Sequence, residues 1–204
     1  MEYLDQKNVK SAVKVLQNNE VLALPTETVY GICVAYDSKE AFQKMVDVKR
    51  RSPDKPFALA CASVEQALNY VEVDERARTV MEKFLPGELT VLVNAKKDLP
   101  WHVTLGTNVI GIRVPAYAYI TNLLDEFGKP VLLTSANISG QPTSRNYDEV
   151  LTYFDNQIGG IVSGECVSQV ASTIVDLSKD GKIILVRNGP IPFEEIKKVW
   201  EETK

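Results

Sequence analysis

Positive charge is concentrated in one short segment of an otherwise acidic chain. Residues 49–55, KRRSPDK, carry a net charge of +3, whereas the whole 204-residue chain carries −4. Lys49 and Arg51 stand two positions apart where a predicted helix ends, so both can reach one anion, the arginine by a two-pronged contact and the lysine as a point charge. Pro53 and Pro56 stiffen the segment that follows. This arrangement suits a compact polyanion, although a solvated helix C-terminus would also favour cations.

Two polar segments that follow predicted strands supply further candidates for ligand binding. Residues 25–31, PTETVYG, contain Thr26 with a second threonine and a glutamate, a set suited to a small polar ligand at a strand end. In the segment TSANISG, Ser135 and Asn137 alternate on an extended chain, so their side chains face the same way and Thr134 faces the other. Ordinary turns with satisfied hydroxyls and an asparagine cap would explain the same residues.

Two arginines lie in apolar strands, where an unpaired charge is costly. Arg113 stands within VIGIRVP, and Arg187 follows IILV. Each is therefore either paired with an acid inside the fold or available to an anionic ligand. Ser172 opens another predicted strand, STIVDLS, close to Asp176. The residues alone leave both interpretations open.

Several common chemistries are excluded or disfavoured. The three cysteines, Cys33, Cys61 and Cys166, are far apart and lack CxxC spacing, which argues against a zinc site or a disulfide framework and for a reducing cytoplasm. The single histidine, His102, excludes a metal site that needs two and is expected on a surface loop. No P-loop, dinucleotide-binding GxGxxG or hydrolase GxSxG motif occurs. No membrane span and no secretory signal are expected.

Apolar periodicity and turn residues divide the chain into helices and strands. Helices are predicted at residues 5–19, 38–51, 64–71, 74–85, 117–127, 147–156 and 192–202. Strands are predicted at residues 21–25, 31–36, 57–63, 89–95, 109–116, 131–136, 159–164, 172–178 and 182–189. This order favours an α/β fold, in which residues 1–204 form one domain with a twisted, mixed and partly antiparallel sheet and helices packed on it.

Seven short motifs occur in an order typical of one known family. They are PTETVYG, Lys49-x-Arg51 followed by KPF, PGELTVLV, GIRVP, SANISGQPT, STIVD and VRNGPI. With them the chain resembles the YrdC/Sua5-like family of threonylcarbamoyl-AMP synthases, in its short single-domain form, over most of its length. Two positions depart from the family pattern, since Ser52 stands where proline is common and Phe57 where leucine is common. Both departures leave the charges in place.

The resemblance implies a fold and a reaction. The fold is a twisted α/β sheet with a positively lined cavity. The reaction joins L-threonine, bicarbonate or CO2, and ATP into threonylcarbamoyl-adenylate and releases pyrophosphate. tRNA threonylcarbamoyl transferase proteins then carry the threonylcarbamoyl group to the adenosine at tRNA position 37. Mg2+ is expected to accompany the ATP phosphates without a dedicated set of protein ligands.

The residues that match the family motifs divide between the two larger substrates. Those that the resemblance assigns to ATP are Lys49, Arg51, Ser135, Asn137, Thr143 and Arg187, of which Lys49 and Arg51 would also be catalytic. Those that it assigns to L-threonine are Thr26, Arg113 and Ser172, with Arg113 pairing with the substrate carboxylate. Catalysis of this kind depends on positioning and on stabilising charge, so it needs no histidine.

Three alternatives remain open. The first is an RNA-binding module of the same fold without synthase activity, although a net charge of −7 outside the basic segment allows only weak RNA binding. The second is a sister enzyme that forms an adenylate from carbamoyl phosphate, whose domains normally lie in longer chains with zinc-finger cysteines. The third is a paralogue that has lost the activity, which the presence of both K-x-R and S-x-N argues against.

Overall fold

One sheet organises the molecule. The structure is a computed structural model that describes residues 1–52 and 54–203. Pro53, which was expected to stiffen the basic segment, and Lys204 lie outside the described residues. Within these ranges eleven strands join one sheet in the order β1-β9-β2-β3-β8-β4-β7-β6-β10-β11, and β5 pairs with β6. The strands are β1 Glu2–Leu4, β2 Leu22–Leu24, β3 Gly31–Ala35, β4 Ala58–Ala60, β5 Val71–Glu72, β6 Leu89–Ala95, β7 Val109–Arg113, β8 Val131–Ser135, β9 Gly160–Val162, β10 Thr173–Asp176 and β11 Ile184–Arg187.

Helices flank this sheet. They are α1 Val9–Gln17, α2 Lys39–Lys49, α3 Val64–Ala67, α4 Glu75–Phe84, α5 Trp101–Thr104, α6 Ala118–Phe127, α7 Tyr147–Phe154 and α8 Phe193–Glu202. Every predicted helix is present within narrower bounds, and the predicted helix over residues 64–71 keeps only its first turn. None of the helices in the described ranges has the length and apolarity needed to cross a membrane.

The sheet mixes both strand directions. The pairs β2–β3, β3–β8, β4–β8, β6–β7, β5–β6 and β10–β11 are antiparallel, whereas β1–β9, β2–β9, β4–β7 and β6–β10 are parallel. The predicted α/β class, with a mixed and partly antiparallel sheet and flanking helices, is therefore confirmed.

The two faces of the sheet are covered differently. The face that carries Ile110 and Ile112 of β7 is buried under apolar side chains of α2, α4 and α8, and we call it the covered face. On the opposite face, helices α1 and α6 pack over Leu24, Cys33 and Leu133 of β2, β3 and β8. They do not extend over β7, β6 and β10. We call the part of this face that lies on those strands the open face.

Helix α2 determines where the basic segment begins. Ser38 caps the helix by accepting a hydrogen bond from the backbone N–H three residues on, at 3.1 Å. Phe42 and Met45 are buried on its apolar side, as the spacing predicts. The helix ends at Lys49, because Arg50 adopts a left-handed conformation with φ of 48°. This turn directs Lys49 into the protein and leaves Arg50 exposed to solvent.

Three local expectations differ from the structure. Strand β1 lies in a segment without a strand signal and pairs with β9, more than 150 residues away. Helix α5 was not predicted. His102, expected on a surface loop, lies in α5 with 6% of its surface exposed. Its Nε2 atom is 2.9 Å from the Tyr36 carbonyl oxygen, and its ring packs beside Phe42. The prediction is wrong because both partners come from a distant part of the chain.

Candidate active site

A cavity of about 530 Å³ lies on the open face of the sheet. Its floor consists of alternate residues of two neighbouring strands, Val109, Gly111 and Arg113 on β7 and Thr90 and Leu92 on β6. Successive side chains of a strand point to opposite faces, so these positions open to the cavity while the residues between them enter the covered core. The same strands therefore build the core and the cavity.

Three arginines line the cavity, namely Arg51 after α2, Arg113 on β7 and Arg187 on β11. The strand register places Arg187 on β11 opposite Ile174 on β10, and Ile174 opposite Thr90 on β6. Thr90 in turn lies across from Arg113 on β7, because the next pair along these two antiparallel strands is Val91 with Ile112. Arg113 and Arg187 thus stand on one row of the sheet, three strand spacings or about 14 Å apart at their backbones. Two long side chains pointing into one cavity can converge on a small anion from that distance.

The electrostatics of this row favour an anion. Burial, and after it the charge of Arg113, lowers the pKa of Arg187. Among the described residues Arg187 makes no ion pair with a carboxylate. Two positive charges held in a partly buried cavity repel each other, and an anion placed between them would relieve the part of that repulsion that the Glu27 carboxylate, which pairs with Arg113, does not offset.

Arg187 is oriented by Ser172. Its Nε atom donates to the Ser172 carbonyl at 3.0 Å, and its Nη2 atom donates to the Ser172 hydroxyl at 3.2 Å. That hydroxyl also lies 3.0 Å from the Thr90 hydroxyl. Arg187, which the family resemblance assigned to ATP, and Ser172, which it assigned to threonine, therefore form one connected unit in the cavity wall.

Arg113 is paired inside the fold. Its Nη2 atom lies 2.8 Å from Glu27 Oε1, and it also donates to the Thr28 hydroxyl. Thr26 is fully buried behind this contact, where its hydroxyl donates to the Val29 carbonyl at 2.8 Å and lies 3.5 Å from Arg113 Nη2. Of the two interpretations left open for Arg113, the ion pair is the one observed, and the arginine still borders the cavity.

Arg51 is held by the backbone of its own segment. Its Nε atom donates to the Lys55 carbonyl at 2.8 Å and its Nη2 atom donates to the Pro56 carbonyl at 2.9 Å. The guanidinium carbon lies 4.8 Å from the centre of the Phe57 ring. Burial lowers the pKa of Arg51, and the charge of Asp54 opposes that change. Phe57, one of the two departures from the family pattern, thus provides a surface on which the guanidinium stacks.

Lys49 lies beside the Ser-x-Asn segment but does not line the cavity. Its ammonium group donates to the Ser135 carbonyl at 2.6 Å, to the Asn137 carbonyl at 2.9 Å and to Asn137 Oδ1 at 3.1 Å. Ser139 N donates in turn to the Lys49 carbonyl at 2.8 Å. With 2% of its surface exposed, Lys49 has all three donors directed at protein oxygens.

Two opposing influences act on the charge of Lys49. Burial, helped by the charge of Arg51, lowers the pKa of Lys49 to about 7. Three oxygen acceptors around one nitrogen favour the ammonium form, because a neutral amine would point its lone pair at one of them. Only the charged group can satisfy all three contacts at once, so the geometry favours the ammonium form.

The predicted site residues fall into three groups. Those that line the cavity are Arg51, Arg113, Ser135, Ser172 and Arg187. Those that lie directly behind its wall are Thr26, Lys49 and Asn137. Thr143 lies apart, in a smaller hollow of about 200 Å³ beside α7. Thr134, expected to face away from Ser135, also borders the cavity, at the end of β8.

Besides Thr134, the site residues assigned from sequence leave out three hydroxyl residues that line the cavity, Thr28, Thr90 and Thr107. Thr90 did carry a signal, because it is a polar residue within LTVLV and alternates with Leu89 and Val91, which are buried on the covered face. The sequence signal for Thr28 was weaker, because its segment contains two threonines and nothing in the sequence favours one of them over the other.

Within the described ranges no group of three or more His, Cys, Asp or Glu side chains is arranged to hold a metal ion. Among the same residues, Asp176 is the one carboxylate that borders the cavity, and it accepts hydrogen bonds from the backbone and hydroxyl of Ser178.

Fold and cavity define an α/β protein with a cavity lined by arginines and hydroxyls on the open face of a mixed sheet. The model of the Sua5/YciO/YrdC family, described as “Telomere recombination”, matches residues 14–189. The chain belongs to this family, and the predicted resemblance is confirmed. That one domain extends over all of residues 1–204 stays a prediction.

Individual relatives extend the match over the whole chain. The threonylcarbamoyl-AMP synthase of Bacillus subtilis (strain 168) is 34% identical over 194 residues, which cover 94% of this chain and 56% of the relative. The threonylcarbamoyl-AMP synthase of Pyrococcus abyssi (strain GE5 / Orsay) is 31% identical over 205 residues, covering 100% and 60%. A crystal structure of P. abyssi Sua5 complexed with L-threonine is similar with a TM-score of 0.91 and 30% identity, covering all of this chain and 61% of that one. This chain therefore spans about three fifths of the length of these relatives.

Proposed function

We propose that this chain is an L-threonylcarbamoyladenylate synthase, a nucleotidyltransferase that condenses L-threonine, bicarbonate or CO2, and ATP into threonylcarbamoyl-AMP and pyrophosphate. The observation that carries the proposal is the convergence of Arg51, Arg113 and Arg187 with the Ser135 and Ser172 hydroxyls in one cavity. Two relatives that match nearly the whole chain are named threonylcarbamoyl-AMP synthase, which supports the same reaction.

The substrates divide the cavity between them. Arg113 and Arg187, on one row of the sheet with the Ser172 hydroxyl, suit the single carboxylate of L-threonine. Arg51 and Ser135, at the side formed by the basic segment and the end of β8, suit the phosphates of ATP. Because Arg187 contacts Ser172, we place it where the two substrates meet and not on the ATP side alone.

The residues behind the wall act through those that line it. Lys49 and Asn137 fix the backbone on which Ser135 stands, and the Ser135 hydroxyl donates to Asn137 Oδ1 at 2.7 Å. Lys49 also keeps a positive charge close to the phosphate side without contacting the cavity. Thr26 supports the Arg113 contact from behind. We assign Thr143 no contact with either substrate.

The reaction can proceed in this cavity by positioning and charge stabilisation. The ammonium group of L-threonine loses a proton to solvent, and the resulting amine adds to CO2 and releases a second proton to solvent, which gives a carbamate. A carbamate oxygen then attacks the α-phosphorus of ATP, the bond to the β-phosphate oxygen breaks, and pyrophosphate leaves. Arginines close to the reacting phosphorus stabilise the charge that develops there. His102 plays no part, since it is buried in α5 against Tyr36 and Phe42.

The wider setting is part of the proposal. Mg2+ would arrive as MgATP and belongs to the substrate. The product would serve tRNA threonylcarbamoyl transferase proteins, which place the group on the adenosine at tRNA position 37. A cytoplasmic location agrees with three buried thiols that form no disulfide.

The test is to measure pyrophosphate release and adenylate formation by the purified chain. We expect release only when ATP, L-threonine and bicarbonate are all present, and a product with the mass of threonylcarbamoyl-AMP. Pyrophosphate release that does not require L-threonine would contradict the proposal. Release that requires carbamoyl phosphate in place of bicarbonate and threonine would identify the sister reaction instead.

A further inference from the structure

Glu27 is a buried acid at the back of the cavity that the proposed reaction does not use. Its Oε1 atom lies 2.8 Å from Arg113 Nη2, and 8% and 11% of the two side chains are exposed. Arg113 lines the cavity, whereas Glu27 lies behind it. Since a buried ion pair contributes little to stability on average, the presence of this one calls for another reason.

The ion pair between Glu27 and Arg113 is incomplete. Glu27 Oε2 and Arg113 Nε are both buried and have no hydrogen-bond partner within the described ranges. The two side chains therefore share one contact instead of the two parallel hydrogen bonds that an arginine and a carboxylate can form. Leaving a buried donor and a buried acceptor unpaired costs stability. An arrangement of this kind is expected where geometry serves binding more than stability.

The backbone at Glu27 is held in place. Its carbonyl accepts a hydrogen bond from Ser168 N at 2.9 Å. On either side of it, the Thr26 and Thr28 hydroxyls lie 2.9 Å apart, and Thr28 N donates to the Thr26 hydroxyl at 3.1 Å. The Glu27 carboxylate is joined to this backbone by fewer rotatable bonds than the Arg113 guanidinium is to its own strand. The carboxylate can therefore act as the partner that positions the guanidinium.

This contact determines which part of Arg113 faces the cavity. Within the described ranges, every hydrogen bond of the Arg113 side chain is made by Nη2, which faces Glu27, Thr28 and Thr26. Nε is buried. Nη1 is the remaining donor group, and it belongs to a residue that lines the cavity. The wall engages one end of the guanidinium and leaves the other end for a ligand.

From this geometry we infer that Glu27 is a positioning residue, which holds Arg113 so that its Nη1 group receives the carboxylate of the amino-acid substrate. The inference rests on the proposed function and adds a residue to it. Without Glu27, Arg113 would have to be ordered at the moment of binding, and the lost rotamer freedom would be subtracted from the affinity. Glu27 therefore acts on threonine and not on ATP.

The experiment measures binding of L-threonine and, separately, of ATP by isothermal titration calorimetry on the full chain. Glu27→Ala should weaken threonine binding about tenfold, because a charged hydrogen-bond partner of Arg113 is lost. Glu27→Gln keeps an oxygen acceptor at the same reach and should recover most of that loss. ATP affinity should change less than about twofold in both variants. Glu82→Ala, which breaks the exposed ion pair with Arg78, is the control and should change neither affinity.

A double-mutant cycle separates positioning from a general structural role. If Glu27 acts through Arg113, then Glu27→Ala should weaken threonine binding no further once Arg113 has been changed to Ala. Circular dichroism checks that each variant is folded. If Glu27→Ala fails to fold, Glu27→Asp replaces it in the same measurements. Its carboxylate is set back by one methylene, so we expect the affinity for L-threonine to fall about threefold.

Several results would overturn the inference. They are unchanged threonine affinity in a folded Glu27→Ala or Glu27→Asp variant, an equal loss of ATP affinity, a Glu27→Gln variant as weak as Glu27→Ala, or additive losses in the cycle. In each of these cases the parent protein still binds threonine and releases pyrophosphate, so the proposed function stands. If the parent protein binds no threonine, the proposed function and the inference fail together.

Discussion

On β7, Ile110 and Ile112 point to the covered face of the sheet, while Val109, Gly111 and Arg113 point to the open face. The covered side is fully buried and apolar, packed by three helices. The open side combines a glycine, a charged residue and a partly exposed valine around a cavity. One backbone supports both, because a strand sends successive side chains to opposite faces. Residues that contribute to stability and residues that contribute to binding therefore alternate along this one strand.

The largest effect on stability is expected from the covered face. Ile112→Ala removes buried methylene and methyl groups next to the binding residue Arg113, and it should lower the free energy of unfolding by about 3 kcal/mol. The Michaelis constants of the remaining folded protein should stay close to those of the parent. Chemical denaturation and steady-state kinetics measure the two quantities.

Ile112→Val provides the matched control, since it removes one methyl group and should cost about 1 kcal/mol. The separation of stability and binding between the two faces would be contradicted if Ile112→Ala raises the Michaelis constant for threonine more than tenfold while Ile112→Val does not. That result would mean that packing on the covered face sets the position of Arg113.

The largest effect on activity is expected from the open face. Arg51→Ala should lower kcat/KM by about 100-fold, because one charged donor close to the reacting phosphate is lost. Its free energy of unfolding should change by less than about 1 kcal/mol, since its lost contacts are to the backbone of its own loop.

Arg50→Ala removes the same charge one residue earlier, from an exposed position, and should leave kcat/KM within about twofold. Equal losses in the two variants would show that overall charge matters and that the cavity position of Arg51 does not. Unchanged kcat/KM in Arg51→Ala would remove Arg51 from the proposed phosphate site.

Lys49 lines neither the covered core nor the cavity, but it holds the cavity wall from behind. We therefore expect its substitution to lower both stability and activity. Lys49→Met keeps most of the length of the side chain but removes the ammonium group that donates to the Ser135 and Asn137 oxygens. We expect a loss of about 2 kcal/mol in unfolding free energy. The Michaelis constant for ATP should rise as well, because the segment that carries Ser135 is no longer fixed.

Lys44→Met is the matched substitution on the same helix, where the lysine makes half-exposed ion pairs with Glu20 and Glu40. It should cost less than about 1 kcal/mol and leave the kinetics unchanged. If Lys49→Met loses activity with no loss of stability, Lys49 contacts the phosphates directly, as the resemblance to the family implies.

The sequence predicted most of the elements because their signals are local. The alternation in VIGIRVP, the Ser38 cap and the apolar positions Phe42 and Met45 depend on neighbours within a few residues. The ordered motifs also identified five of the residues that line the cavity, since each motif includes an end of a strand or helix and these ends lie around the same cavity.

What the sequence could not predict depends on distant partners. The three acceptors of Lys49 come from residues 86 and 88 positions away, so nothing near Lys49 shows that its donors are all occupied. The partner of Arg113 is Glu27, 86 positions away, and the choice between an ion pair and a free arginine could not be made from either strand alone. His102 was misplaced for the same reason, because its partner Tyr36 lies 66 positions away.

The smallest effect tests the floor of the cavity itself. In Gly111→Ala the new Cβ would lie 3.3 Å from Leu92 Cδ2 and 3.5 Å from the Ala58 and Thr90 side chains, contacts that a small shift can relieve. Stability should change by less than about 1 kcal/mol, since alanine is a better strand residue than glycine. The methyl group would raise the floor beside Arg113 on β7, so the Michaelis constants should increase about threefold.

Gly31→Ala is the informative contrast, because its Cβ would lie 2.7 Å from Leu133 Cδ1 where α1 and α6 cover the sheet. There the methyl group has no space to enter, so we expect a loss of stability of about 2 kcal/mol. Stability and Michaelis constants measured on both variants should give opposite patterns. If Gly111→Ala is the variant that unfolds and Gly31→Ala the one that changes the Michaelis constants, then the open face is packed in solution, and the cavity does not offer its floor to a substrate.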